Sequence, residues 1–418
     1  MMAEMLKDPA VKIQLAGSYA SIANYWKFFD GEAKQLVKLN VIDLKQRDEA
    51  AFENWAKGKA EYNNLFPDIK ATYDKWRPYA KHRMYINEGI NGSSLLGFAA
   101  SLKVLEAGLA NPNSKPEDVT KLAQAVKAAH MRFMEAENIA SDKNIAAVVL
   151  KMFYTDIDPS QRPEAFYTEL KNGYGALENA DTYNKFSAYV FDNTMLLNKA
   201  KWDAFISKPD VETLRKDPAY KTAIAFTDNY TNNYAKYYTE FTGANYVYNN
   251  KYLKGVLEMQ KDKPMYPDAN QTMRLNYGHV KSYVPKDGVK YSYICTLAGI
   301  REKYKPGDYE FDAPVKLMDL INKKDYGQYI DKSINDVVVN FITTNDITGG
   351  NSGSPVLNAK GELIGLCFDG NYEALGHKIA FDKELTRTIC LDVRYMLFVI
   401  DKLGGATNII NELNLVKQ

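Results

Sequence analysis

The strongest constraint on how this chain folds is a change of pattern near residue 263. Before it, apolar residues recur at helical spacing. After Pro264-Met265-Tyr266-Pro267 they alternate in short runs bounded by Gly, Pro and Asp. Two patterns in a chain of 418 residues, longer than one compact core usually holds, predict two domains. The expected fold class is α+β. An α-helical domain over 1–262 precedes a β-rich domain over 263–418, which ends in a C-terminal helix.

Ser114-Lys115-Pro116-Glu117 reads as a capping box, with proline tolerated in the first turn. Behind it Val119, Leu122, Val126, His130 and Phe133 form one apolar stripe. Further helices are predicted over 17–57, 92–109, 144–155, 163–171, 181–206 and 210–241, with no fixed-period repeat. In the second part, Met273-Arg274-Leu275-Asn276-Tyr277 and Lys290-Tyr291-Ser292-Tyr293-Ile294 alternate as strands do. Val337-Val338-Val339-Asn340-Phe341-Ile342 is a β-branched strand. Pro355-Val356-Leu357 and Glu362-Leu363-Ile364-Gly365-Leu366-Cys367-Phe368 are expected to pair across the turn Asn358-Ala359-Lys360-Gly361. The tail from Glu384 to Leu413 returns to a helical pattern.

Fifty-three basic residues against fifty-two acidic ones leave no net field to recruit nucleic acid or an anionic membrane. No apolar run is long enough to span a bilayer. The N-terminus lacks the basic start and apolar core of a signal peptide, which taken alone implies a cytoplasmic chain. Cys295, Cys367 and Cys390 are too few and too scattered for a disulfide framework or zinc knuckle, and read as small buried apolar residues. No metal or organic cofactor is signalled.

Chemistry concentrates in Gly349-Gly350-Asn351-Ser352-Gly353-Ser354-Pro355. A serine hydroxyl needs activation, and acyl transfer needs donors for the developing oxyanion. Glycines before the serine let backbone N–H groups converge without side-chain obstruction. The run resembles the nucleophile loop of chymotrypsin-type serine peptidases. That resemblance makes Ser352 the nucleophile and the Gly350 N–H an oxyanion donor. Asn351 stands where activated digestive proteases carry an aspartate, so pairing with a newly cut N-terminus is not expected. Asp346 lies at the offset of a trypsin-like specificity carboxylate, although a turn-capping role beside Thr348 explains it as well.

A base for Ser352 is harder to find. His82 and His130 lie in helical context, His279 lacks the surround of a catalytic histidine loop, and His377 follows the serine. No histidine is expected to serve as the base.

Several segments are specific enough to carry a family resemblance. They are Ala23-Asn24-Tyr25-Trp26-Lys27, Tyr266-Pro267-Asp268-Ala269-Asn270-Gln271-Thr272-Met273-Arg274, Thr344-Asn345-Asp346-Ile347-Thr348 with the serine loop, and Phe368-Asp369-Gly370-Asn371-Tyr372-Glu373-Ala374. In these the chain resembles the bacterial dipeptidyl-peptidase 7 and 11 family of serine exopeptidases. The resemblance implies a chymotrypsin-like double barrel with a helical cap inserted between its halves. Residues 1–262 would be that cap and 263–418 the second β-barrel. The first barrel, with its signal peptide and catalytic His and Asp, would lie upstream of Met1, as in a truncated or split gene. The full-length parent is then expected in the periplasm or secreted, and this chain alone is expected to be catalytically incomplete.

By the same resemblance Asp369 binds the free α-amino group of a peptide substrate and Asn24 assists it. Gly370 stands where acid-selective members carry arginine, which implies a hydrophobic or broad preference at the cleaved residue. Peptides with free N-termini are the expected partners, and a homodimer is left open. A glutamyl-endopeptidase-like protease and a non-catalytic peptide-binding module are the alternatives.

Overall fold

The computed structural model describes residues 2–263, 265, 273–308 and 310–416. Residues 266–272, most of one segment that carries the resemblance, lie outside the described residues. The chain divides into two compact units. The first comprises Met1–Ile22 and Phe52–Lys263, and the second Ala23–Ala51 and Pro264–Gln418. The later division falls where the sequence pattern changes. Grouping Ala23–Ala51 with the C-terminal unit departs from the single boundary expected at 262.

The first unit is helical. Its core joins Leu95, Leu96, Leu150, Phe153, Tyr183, Tyr220 and Phe226, all buried. Local chemistry starts many of these helices. Asn138, Asn198 and Asp210 each accept a hydrogen bond from the amide three residues on. Asp217 caps a helix that opens on Pro218. The expected capping box at Ser114 does not form. Proline at the first helical position makes Lys115 the capping residue, leaving Ser114 outside, and no side-chain cap bond is made there. The stripe behind it does face the core, with Leu122, Val126 and Phe133 half-buried and His130 buried. The predicted helix 17–57 is two helices, Pro9–Lys38 and Val41–Ala56, broken at Asn40 with φ 50°.

The second unit carries seven strands: β1 (Tyr283–Lys286), β2 (Val289–Tyr291), β3 (Ile294–Thr296), β4 (Val338–Thr343), β5 (Ser354–Leu357), β6 (Leu363–Gly370) and β7 (Thr388–Asp392). The first two form a separate ribbon. The others make an antiparallel sheet in the order β3-β4-β7-β6-β5. The β5–β6 hairpin turns as expected. The Asn358 side chain accepts from the Lys360 and Glu362 amides, and Gly361 adopts φ +79°. Helices Leu297–Lys303 and Val315–Lys323 and the tail pack into a second core around Leu297, Ile321, Val337 and Phe398.

Three predicted elements are corrected. The run 290–294 is not one strand but is broken at 292–293 between β2 and β3, which belong to different sheets. Residues 273–277 form no strand and are exposed, although the Asn276 side chain bonds the Asp346 carbonyl and Asn345. The tail does not begin as helix. Thr388–Asp392 is the central strand β7, with alternate residues Thr388, Cys390 and Asp392 buried, and helix starts only at Val393. Of the cysteines, Cys367 and Cys390 are buried as expected, whereas Cys295 is exposed.

Candidate active site

Ser352 lies in the connection between β4 and β5, on the exposed surface of the second unit. The loop is shaped by backbone positions that only glycine occupies easily, Gly350 at φ +101° and Gly353 at φ +86°. It is braced from within. The Asn351 side-chain oxygen accepts from the Thr348 amide (3.0 Å), and the Ser354 amide donates to the Asn351 carbonyl (2.9 Å). Asn351 therefore caps the Thr348 turn.

Two bonds tie the loop to β6. The Gly353 amide donates to the Cys367 carbonyl (2.7 Å), and the Ser352 hydroxyl donates to the Phe368 carbonyl (3.3 Å). Among the described residues no protein acceptor meets the amide hydrogens of Gly350 or Ser352. Two unclaimed N–H groups flanking a serine hydroxyl can stabilise an oxyanion.

The strand receiving these bonds carries Asp369. Pairing of β6 with β7 slips between Cys367 and Asp369, making Phe368 the extra residue of a β-bulge. The bulge breaks the in-out alternation. Cys367 is buried, while both Phe368 and Asp369 are exposed. One Asp369 oxygen accepts from the Gly370 amide (2.7 Å), which fixes the carboxylate beside the strand end. A Cβ at Gly370 would stand 3.1 Å from that of Ala374, so this position is confined on one side and carries no charge.

A buried polar network holds the chain just beyond. The Asn371 side chain accepts from the Arg387 amide (2.8 Å) and donates to the Leu385 carbonyl (2.8 Å) and to Glu373 (2.9 Å). Glu373 also accepts from the Tyr283 hydroxyl (2.9 Å). Arg387, almost fully buried, donates to the backbone carbonyls of Lys281, Ser282, Lys383 and Thr386. Asn371 and Glu373 stand inside a sequence motif that by itself gives them no role. Apart from each other, their partners Tyr283, Leu385 and Arg387 lie 14 or more residues away, so no local signal marks them.

Asn24 is exposed on the helix Pro9–Lys38, in the part that belongs to the second unit. It therefore shares a compact unit with Ser352, Asp369 and Gly370.

The four histidines sit where none meets Ser352. His82 is fully buried among Phe153, Tyr230 and Tyr234, and burial pushes it down to about 4. His130 bonds the Leu196 carbonyl (2.7 Å) and stacks on Trp202. His279 is exposed and pairs through its backbone with Thr344. His377 Nδ1 meets the Ala374 carbonyl (2.5 Å). No group of three His, Cys, Asp or Glu side chains among the described residues converges as a metal site. No single described helix is long and apolar enough to cross a membrane. Two surface hollows, of about 590 and 840 Å³, line helices of the first unit near Leu257 and Thr168, and neither includes a residue of the Ser352 loop.

A family profile described as Peptidase S46 matches residues 1–415. The chain belongs to the Peptidase S46 family. Among Peptidase S46 relatives, a Dipeptidyl-peptidase 7 of Phocaeicola vulgatus is 37% identical over 421 residues, which is 99% of this chain and 57% of the relative. An Asp/Glu-specific dipeptidyl-peptidase of Flavobacterium psychrophilum is 38% identical over 424 residues, 99% of this chain and 56% of the relative. The chain thus spans 57% and 56% of the lengths of these two relatives. The crystal structure of Porphyromonas endodontalis DPP11 in complex with the dipeptide Arg-Glu matches with a TM-score of 0.83 at 28% identity, covering 99% of this chain and 58% of that one. The family expected from the sequence is borne out.

Proposed function

We propose that this chain supplies the nucleophile and the amine-binding carboxylate of a serine-type dipeptidyl aminopeptidase. Ser352 is the nucleophile, the Gly350 and Ser352 amides form the oxyanion site, and Asp369 holds the free α-ammonium of the substrate, assisted by Asn24. The observation that carries this reading is the bond from the Ser352 hydroxyl to the Phe368 carbonyl, one residue before Asp369. It sets the reacting oxygen beside the strand that carries the anchor. An extended dipeptide spans only about 7 Å, so an ammonium fixed at Asp369 measures off two residues to the scissile bond. The charge-assisted bond between ammonium and carboxylate gives that measurement its strength.

The five-stranded sheet is read as part of the second barrel of a chymotrypsin-like catalytic domain. The loop geometry and the position of β6 behind it support that assignment. The base for Ser352 is assigned to a histidine outside these 418 residues, since no described histidine bonds the hydroxyl. Selection at the cleaved residue is proposed to be hydrophobic or broad, because Gly370 brings no cation to meet an acidic side chain.

The test compares peptides with free and acetylated N-termini in the full-length protein. Release of dipeptides from free N-termini only, lost in Ser352→Ala, is the expected result. Equal cleavage of acetylated peptides overturns the role of Asp369. No labelling of Ser352 by a serine-reactive phosphonate identifies a peptide-binding module instead.

A further inference from the structure

The helix Pro9–Lys38 meets the rest of the second unit along one stripe. Lys27 pairs with Glu310 (3.1 Å), and Lys38 donates to the Pro285 carbonyl (3.2 Å). Between them Gly31 lies against Tyr372 and Leu375, and Gln35 against Gly376. Positions 27, 31, 35 and 38 recur at steps of four and three, which is one face of a helix. Asn24, three residues before Lys27, continues the same face. It stands about two turns, roughly 10.5 Å, along the axis from Gly31.

Gly31 is the tightest point of that stripe. A Cβ there would overlap the Leu375 Cδ1 atom and come 3.3 Å from Tyr372. Glycine weakens a helix interior, and here its missing side chain is what lets the helix settle. Tyr372 and Leu375 belong to the turn Tyr372–Gly376, which begins directly after Asn371. The buried network of Asn371, Glu373, Tyr283 and Arg387 fixes this turn. A short, rigid connection therefore runs from Gly31 through the turn to Asp369.

We propose that Gly31 is a positioning residue for amine recognition: by seating the helix on Leu375 and Tyr372 it sets where Asn24 stands relative to Asp369. This rests on the reading of Asp369 and Asn24 as partners of the substrate ammonium. Charge-assisted bonds to an ammonium are effective only near 2.7–2.9 Å. Lifting the helix by the thickness of a side chain takes Asn24 out of reach and leaves Asp369 and Ser352 in place.

A single methyl at position 31 can be absorbed by a rotation of Leu375, so the test uses a larger side chain. In the full-length protein Gly31→Leu is expected to raise KM for a free-amine dipeptidyl substrate by about tenfold while kcat changes by less than about twofold. The double variant Gly31→Leu/Leu375→Ala, which moves the bulk across the contact, is expected to restore KM. In an Asn24→Ala background Gly31→Leu is expected to add nothing, the mark of two residues acting on one interaction. Gly376→Ala, which brings a Cβ to 3.3 Å from that of Gln35, is the milder variant if Gly31→Leu does not fold. It is expected to raise KM by about two- to threefold.

An unchanged KM in folded Gly31→Leu or, if that variant does not fold, in Gly376→Ala overturns the proposal. So does a loss confined to kcat, or no recovery in the double variant. Failure of the underlying reading is distinguishable. In that case unaltered protein cleaves free and acetylated peptides alike, and Asp369→Asn leaves KM unchanged.

Discussion

The Ser352 hydroxyl donates to the carbonyl of Phe368, the bulged residue immediately before Asp369. One hydrogen bond thus joins the loop that presents the nucleophile to the strand that presents the anchor. The bulge is what exposes Asp369 next to it, since unbroken pairing would alternate Phe368 and Asp369 between opposite faces.

Replacing Ser352 by alanine is expected to lower kcat for dipeptide release by at least about a thousandfold, the usual scale for losing a nucleophile that works with a base. Steady-state hydrolysis of a free-amine chromogenic peptide checks it. Unaltered thermal unfolding should accompany the loss, because the exposed hydroxyl makes one long bond, at 3.3 Å, to the described residues.

Asp369→Asn keeps the shape and removes the charge. KM for free-amine peptides is expected to rise about ten- to a hundredfold, as for loss of one charge-assisted hydrogen bond. Acetylated peptides should be unaffected. The readout is KM for a free-amine peptide in the variant against the unaltered protein.

Asn371→Ala leaves the Arg387 amide and the Leu385 carbonyl without the buried partner they have here, and leaves Glu373 with Tyr283 alone of the two groups that meet it. A loss of about 2–4 kcal/mol is expected for such a network. Urea unfolding of the variant against the unaltered chain measures it.

Glu137 sets a pH dependence in the helical unit. It is buried, and burial, with Asp142 beside it, pushes its carboxyl up to about 8. In the unfolded chain the group titrates near 4.3. Between these values the folded state holds the extra proton. Its contribution is therefore fully present below about pH 4 and is lost as pH rises to about 8. Glu137→Gln, which cannot ionise, is expected to flatten that decline in urea-unfolding free energy. A decline of the same slope in the variant would refute the assignment.

Much of this protein was legible in its sequence because the signals are local. Helical spacing ends where alternation begins, near residue 263. The turn at 358–361 is written in Asn358 and Gly361, and the Ser352 loop in glycines that reach positive φ at Gly350 and Gly353. Where a second segment was needed, local reading failed. Thr388–Asp392 adjoins a helix and in the sequence reads as its start. It became a strand because β4 and β6 flank it. Residues 273–277 alternate like a strand and are not one, since alternation alone does not supply a neighbouring strand.

The site divides in the same way. Sequence by itself determined the nucleophile loop and the order Asp369-Gly370-Asn371, since a turn and a short motif need only neighbouring residues. Tertiary structure alone decided that Phe368 bulges, that Asn371 is held by Arg387 and Glu373, and that the stretch of helix carrying Asn24 belongs with the strands. Each of these depends on pairing or close approach between segments far apart in the chain, and such contacts leave no period in the sequence to read.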